Sequence, residues 1–194
     1  MENRLLKVRE KLNNNSIDAI LITKRVNYMY LSGFTGTAAH LLITGENAFL
    51  ITDFRYVEQA TKQAPLFEII KCQGSIEMEI NNILKKLSIK NLGFESDNVT
   101  YDKYIHLKDK FEGIELVPQK GFAETLRIIK SKEEIEKVKK AVEIADGAFE
   151  HVLNFIKPGV KENEIAAELE HYIKKNGGQG PSFDTIVASG TRSA

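Results

Sequence analysis

An α/β domain built on a mixed sheet accounts for the first part of the chain, and three features lead to it. Short apolar runs alternate with amphipathic helical stretches from Leu5 to Val117, the pattern of a layered α/β domain. Two of those runs, His40–Thr44 and Ala48–Thr52, are joined by Gly45-Glu46-Asn47. So short a polar connection reads as a hairpin and puts an antiparallel pair into the sheet. From Ser131 the pattern changes to two longer helical stretches, which sets off a second segment.

Leu5, Val8 and Leu12 recur at helical spacing, and Asn13-Asn14-Asn15 ends that helix. Ala19–Thr23 is a β-rich apolar run and reads as a buried strand. Val26–Leu31 reads as a short helix, followed by the turn Ser32-Gly33-Phe34-Thr35-Gly36-Thr37. After the hairpin, Asp53 is placed to cap a helix from Phe54 to Ala64, which Pro65 stops. Phe67–Lys71 is the next strand. Ser75 caps a helix whose apolar face is Ile76, Ile80, Ile83, Leu84 and Leu87. Leu92–Glu95 is a short strand, and Thr100 caps a helix carrying Tyr104, Leu107 and Phe111. Glu115-Leu116-Val117 is a last strand that Pro118 ends.

The domain boundary falls within Gly121–Leu126, where the pattern changes. Ser131 and Glu134 form a capping box. Ile135, Val138, Val142, Ala145, Phe149, Val152 and Ile156 then step by three and four, giving a helix of about seven turns. Pro158-Gly159 closes it. A second helix carries Ile165, Leu169, Tyr172 and Ile173 and stops at Gly177-Gly178. Phe183–Ala188 reads as the strand after it.

Lys+Arg and Asp+Glu each number 27, so the formal charge is near zero. That balance offers no electrostatic footprint for nucleic acid or an anionic membrane. No apolar run approaches the ~18 residues of a transmembrane helix, and Met1–Leu5 lacks a signal-peptide pattern. The single Cys72 has no partner for an internal disulfide and fits a reducing compartment. The expectation is a cytoplasmic protein with neither nucleic-acid nor membrane partners.

Local motifs carry little chemistry by themselves. None of His40, His106, His151 and His171 sits in H-E-x-x-H, and no Cys cluster accompanies them. Glu168 and His171 form E-x-x-H, with Glu164 one turn earlier, the spacing of a di-iron bundle. A bundle needs matching helices that an α/β pattern does not provide, so a solvated helix face is the favoured reading. Gly33–Thr37 lacks the Gly-Lys-Ser/Thr ending of a P-loop and reads as a tight turn. Ser189 and Ser193 have no local base to make either a nucleophile.

Taken together, four stretches say more. Asn27-Tyr28-Met29-Tyr30-Leu31-Ser32-Gly33-Phe34-Thr35-Gly36 resembles the loop of the creatinase/prolidase N-terminal domain. Leu50–Tyr56, with Asp53, Arg55 and Tyr56, resembles the D-x-R-Y turn after that domain's hairpin. Leu126–Ser131 resembles the linker into the family's catalytic domain. Ser182–Gly190 resembles the strand before the substrate-binding loop of Xaa-Pro peptidases. The four occur in the family's order and span nearly the whole chain.

The resemblance implies a creatinase/prolidase N-terminal domain over residues 1–123 and the incomplete beginning of a pita-bread metallopeptidase domain over 124–194. It implies a parent enzyme, an Xaa-Pro dipeptidase or aminopeptidase, acting on short peptides as a homodimer. Such enzymes hold two divalent metals (Mn, Co or Zn) on two Asp, one His and two Glu. The metals activate a water for attack on the scissile carbonyl. In the family, the stretch matching Ser189–Ala194 is followed by a substrate-binding His, and the metal ligands come later still. No catalytic residue or metal ligand is therefore expected in this chain. No bound metal is expected either, and no activity from the chain alone.

One substrate-binding residue carries over: Phe183, whose counterpart lines the apolar substrate pocket, although a core aromatic on a strand is an equal reading. Asp53, Arg55 and Tyr56 carry over as interface or structural residues. The alternative function is a non-catalytic dimerisation or substrate-gating module.

Overall fold

In the computed structural model, which describes residues 2–193, α1 (Glu2–Asn14) leads into β1 (Ala19–Ile22), α2 (Arg25–Ser32), β2 (Ala39–Thr44) and β3 (Ala48–Thr52). Then come α3 (Val57–Gln63), β4 (Glu68–Lys71), α4 (Ile76–Lys86), β5 (Asn91–Glu95), α5 (Tyr101–Lys110), β6 (Glu115–Gln119) and α6 (Glu124–Arg127). The chain ends in α7 (Lys132–Phe155), α8 (Glu162–Lys175) and a 3-10 turn, Gly190–Ser193. Met1 and Ala194, the outer ends of the first and last stretches read above, lie outside the described residues. The chain divides into two compact units, Met1–Ile129 and Lys130–Ala194.

In the first unit the strands form one sheet in the order β4-β3-β2-β1-β5-β6. β2 is antiparallel to both β1 and β3, while the β3–β4, β1–β5 and β5–β6 pairs are parallel. The expected hairpin closes at Thr44, whose Oγ1 accepts from the Asn47 amide at 2.8 Å. Both faces of the sheet are covered, so β1 is apolar at every position, and β2 and β3 nearly so, with His40, Thr44 and Thr52 the exceptions. Ile20, Ile22, Leu41, Ile43 and Leu50 pack with α1, α2 and α3 through Val8, Leu31 and Ala60. Ala19, Leu21, Leu42, Phe49 and Ile51 pack on the other face with α4 and α5, through Ile80, Leu84 and Leu107.

Three expected caps form. Ser75 Oγ accepts from the Met78 amide at 3.1 Å, and Thr100 Oγ1 from the Lys103 amide at 3.3 Å. Ser131 and Glu134 make the reciprocal capping box on α7.

Four expectations change. Asp53 does not cap a helix: α3 begins later, at Val57, and Asp53 closes a turn onto Arg55 instead. β6 runs through Pro118, which pairs with Phe94. An edge strand can hold a proline because one side of its backbone needs no ladder donor. Residues 124–129, assigned above to the second segment, sit in the first compact unit.

Phe183–Ala188 is not a strand. A strand needs a neighbour for its amides and carbonyls, and the second unit offers only helices and a 3-10 turn among its described residues. That segment is held by side chains: Thr185 Oγ1 donates to Glu170 at 3.1 Å, and the Ser189 amide to Glu162 at 2.8 Å.

Most of the apolar stripe on α7 lies open. Ile135, Val138, Val142, Phe149 and Ile156 are exposed, while Ala148 and Val152 are buried. Beside them His151 stacks on Tyr172 of α8, with centroids 5.0 Å apart. A Cβ on Gly147 would lie 2.8 Å from the Tyr172 hydroxyl, so glycine lets the two helices approach here.

Candidate functional site

The residues carried over from sequence occupy two places, one in each unit. In the first unit, Asp53-Phe54-Arg55-Tyr56 forms a turn between β3 and α3. Asp53 Oδ1 accepts from the Arg55 amide at 2.9 Å and from its Nε at 3.0 Å, and Oδ2 accepts from Nη2 at 2.8 Å. These bonds hold the Asp53 carboxyl below its usual pKa and the Arg55 guanidinium above its own. A two-pronged Arg–carboxylate pair fixes orientation as well as charge. It sets the guanidinium 5.4 Å from the Tyr56 ring centroid.

The Tyr56 hydroxyl in turn shares a 2.7 Å hydrogen bond with Thr37 Oγ1, and its ring meets Phe34 edge-on at 5.7 Å. Tyr28 donates to the Gly36 carbonyl at 2.9 Å. A Cβ on Gly36 would fall 2.2 Å from the Phe34 ring, which is fully buried, so the loop closes over that ring only with glycine. The D-x-R-Y turn and the Gly33–Thr37 loop are thus one assembly. It leaves Phe54 projecting, 72% exposed.

A second polar group in this unit was not singled out from sequence. Glu95, at the end of β5, is fully buried. Its Oε2 accepts from the amides of Thr23 at 2.6 Å and Lys24 at 2.8 Å, and its Oε1 from Asn27 Nδ2 at 2.6 Å. Burial nevertheless pushes its pKa above the usual value.

Glu124 of α6 accepts from Lys24 Nζ at 2.7 Å and from Asn27 Nδ2 at 2.8 Å. Burial works to raise its pKa, but those hydrogen bonds prevail and lower it. Arg127 donates to Asn27 Oδ1 at 3.0 Å, and Tyr30 to the Leu126 carbonyl at 2.9 Å. The network therefore joins the start of α2, the end of β5 and α6. One available signal was a carboxylate ending an otherwise apolar strand.

In the second unit Phe183 is 75% exposed on an irregular segment. The E-x-x-H residues do not converge there. Glu168 accepts or shares a proton with His151 Nε2 at 2.7 Å, and Glu164 accepts from the Lys161 amide at 2.8 Å as a cap. Among the described residues no group of three or more His, Cys, Asp or Glu is arranged to hold a metal ion. The donors present do not fit a two-metal centre. No helix among the described residues is long and apolar enough to cross a membrane.

Residues 4–129 match the family model for the Creatinase/Prolidase N-terminal domain, and residues 136–194 match that for Metallopeptidase family M24. The uncharacterized peptidase YqhT of Bacillus subtilis is 44% identical over 98% of this chain and 54% of its own length. An Xaa-Pro dipeptidase of Pyrococcus horikoshii is 39% identical over 100% of this chain and 54% of its own. The solved Xaa-Pro dipeptidase from Bacillus anthracis superposes with a TM-score of 0.94 at 45% identity, covering 99% of this chain and 54% of that one. The chain spans about half the length of the relatives it matches. It belongs to the creatinase/prolidase family, with that family's N-terminal domain followed by a segment of the M24 metallopeptidase type.

Proposed function

We propose that this chain is the N-terminal part of a dinuclear metal-dependent Xaa-Pro peptidase that hydrolyses the bond before proline in short peptides. The observation that carries this reading is whole-chain similarity to Xaa-Pro dipeptidases about twice as long. The two metals, Mn, Co or Zn, would be held by residues of the parent other than those described here, and the chain alone would be inactive. Residues 1–123 would form the N-terminal domain and 124–194 the beginning of the pita-bread domain, with residues 124–129 packed into the first compact unit as the link between them.

Phe183 would line the apolar part of the substrate site, a reading supported by its exposure rather than burial in a core. Asp53, Arg55 and Tyr56 would act as a clamp that presents the loop at Gly33–Thr37 and Phe54. The parent would be a cytoplasmic homodimer, in keeping with the lone Cys72.

The test is cleavage of an Xaa-Pro dipeptide, with an Xaa-Ala dipeptide as control. The protein is this chain joined to the remaining half of the Bacillus anthracis relative and loaded with Mn²⁺. Selective cleavage before proline, lost on chelation, is expected. A folded, metal-loaded chimera that cleaves neither peptide, or both equally, overturns the reading. The second reading, a non-catalytic dimerisation or substrate-gating module, is favoured by the exposed apolar side chains of α7 and by Phe54. Metal-dependent turnover by the 194-residue chain alone would count against it.

A further inference from the structure

Away from the D-x-R-Y turn, the first unit contains a cavity of about 240 Å³. It lies where β1 and β5 run parallel, side by side. The chain leaving β1 enters α2, whose Tyr28 and Leu31 pack in the core on one face. The chain leaving β5 enters α5, whose Leu107 packs in the core on the other. Adjacent parallel strands that send their connections to opposite faces leave a crevice at their carboxyl ends, and open α/β sheets bind ligands in such crevices. Thr23, just past β1, and Asn98 and Thr100, between β5 and α5, border this cavity. Asn98 Nδ2 donates to Thr23 Oγ1 at 2.9 Å and ties the two edges together.

The walls are Leu21, Ile76, Ile80, Val99 and Leu107. An apolar cavity of ~150 Å³ takes a benzene molecule, so this one has room for a single substituted ring. Three charged or titratable groups complete the lining. Glu77 and Lys103 pair with each other, so neither offers an uncompensated charge to a ligand. The third is His40, half-buried, whose Nδ1 is enclosed without a hydrogen-bond partner, so a ligand meets the ring at its accessible edge rather than at Nδ1. Burial, helped by the nearby Lys103 charge, pushes its pKa down to about 4. The imidazole is therefore neutral near pH 7, with one donor and one acceptor nitrogen. A hydroxyl both donates and accepts, so it matches either tautomer.

We propose that this cavity is a binding site for a small neutral ring compound carrying one hydroxyl, with the ring against Leu21, Ile80 and Leu107 and the hydroxyl on the imidazole of His40. Every lining residue belongs to the first unit, so the site does not depend on the peptidase reading.

The test is an NMR titration of the isotopically labelled 194-residue chain with phenol, and in parallel with toluene. Saturable shifts are expected at the His40 ring and the methyls of Ile80, Val99 and Leu107, with a dissociation constant on the order of 1 mM. Toluene should bind about tenfold more weakly, because it forgoes one hydrogen bond. The variants Val99→Phe and Ile76→Phe each fill the cavity and should weaken phenol binding at least about tenfold. His40→Phe should abolish the preference for phenol over toluene. Absence of saturable shifts, shifts centred elsewhere, or equal affinity for phenol and toluene in the unsubstituted chain would each overturn the proposal. The phenol/toluene comparison needs no variant to fold.

Discussion

Glu95 tests whether the buried network is held by its acceptors or by its charge. In Glu95→Leu the amides of Thr23 and Lys24 lose their acceptor, while Asn27 Nδ2 keeps Glu124. Two buried donors left unpaired cost about 1–3 kcal/mol each, so about 4 kcal/mol is expected. In Glu95→Gln the side-chain oxygen can still accept both amides, but the new NH₂ faces the Asn27 amide nitrogen. Asn27 cannot turn over without setting its own NH₂ against Arg127. One hydrogen bond is lost, about 1 kcal/mol.

The raised pKa of Glu95 agrees with a small charge effect, since burial already disfavours the ionised form. Urea unfolding followed by circular dichroism measures both variants. With a slope near 2 kcal/mol/M, the Leu variant should lower the midpoint by about 2 M and the Gln variant by about 0.5 M. A Leu variant within about 0.5 kcal/mol of the native chain, or one more stable than the Gln variant, would show that the buried acceptors contribute nothing.

Other expectations concern separate parts of the molecule. Gly36→Ala must displace the buried Phe34 ring and should cost about 2 kcal/mol by the same unfolding measurement. His40 binds its proton near pH 4 when folded and near ~6.5 when unfolded, so stability should fall as pH drops through that window. The loss should reach on the order of 3 kcal/mol below pH 4, and His40→Phe should remove that component of the slope. Limited proteolysis of the monomer should cut the segment from about residue 160 before residues 1–120, because Phe183 and Ile186 are exposed and the segment has no strand partner. Equal resistance of the two regions would contradict that.

What could be read from sequence was what neighbouring residues decide. Ser75, Thr100 and Ser131 cap helices through contacts three residues away, and apolar runs bounded by turn residues mark β1, β2 and β3. Most of the failures share a physical source, dependence on distant partners. Glu95 and Asn27 meet across 68 residues, and Glu124 and Asn27 across 97, so neither spacing leaves a local trace. Asp53 suits a helix cap and a turn equally well, and Arg55 decided between them. Phe183–Ala188 has strand composition, but a strand is a property of a pair. On α7 most of the apolar stripe lies outside the face that touches α8, where Gly147 and His151 meet Tyr172 beside the buried Ala148 and Val152. The D-x-R-Y turn was found by resemblance. Its coupling to Phe34 and Thr37 joins residues about 20 positions apart and leaves no local trace.

The central claim, that this chain supplies half of an Xaa-Pro peptidase, is tested most directly by one comparison of initial rates. An Xaa-Pro dipeptide with added Mn²⁺ is given to the 194-residue chain and, in parallel, to the chain joined to the second half of the Bacillus anthracis relative. No metal-dependent hydrolysis is expected from the first, and hydrolysis before proline from the second. Turnover by the chain alone, or none from a folded and metal-loaded chimera, would contradict it.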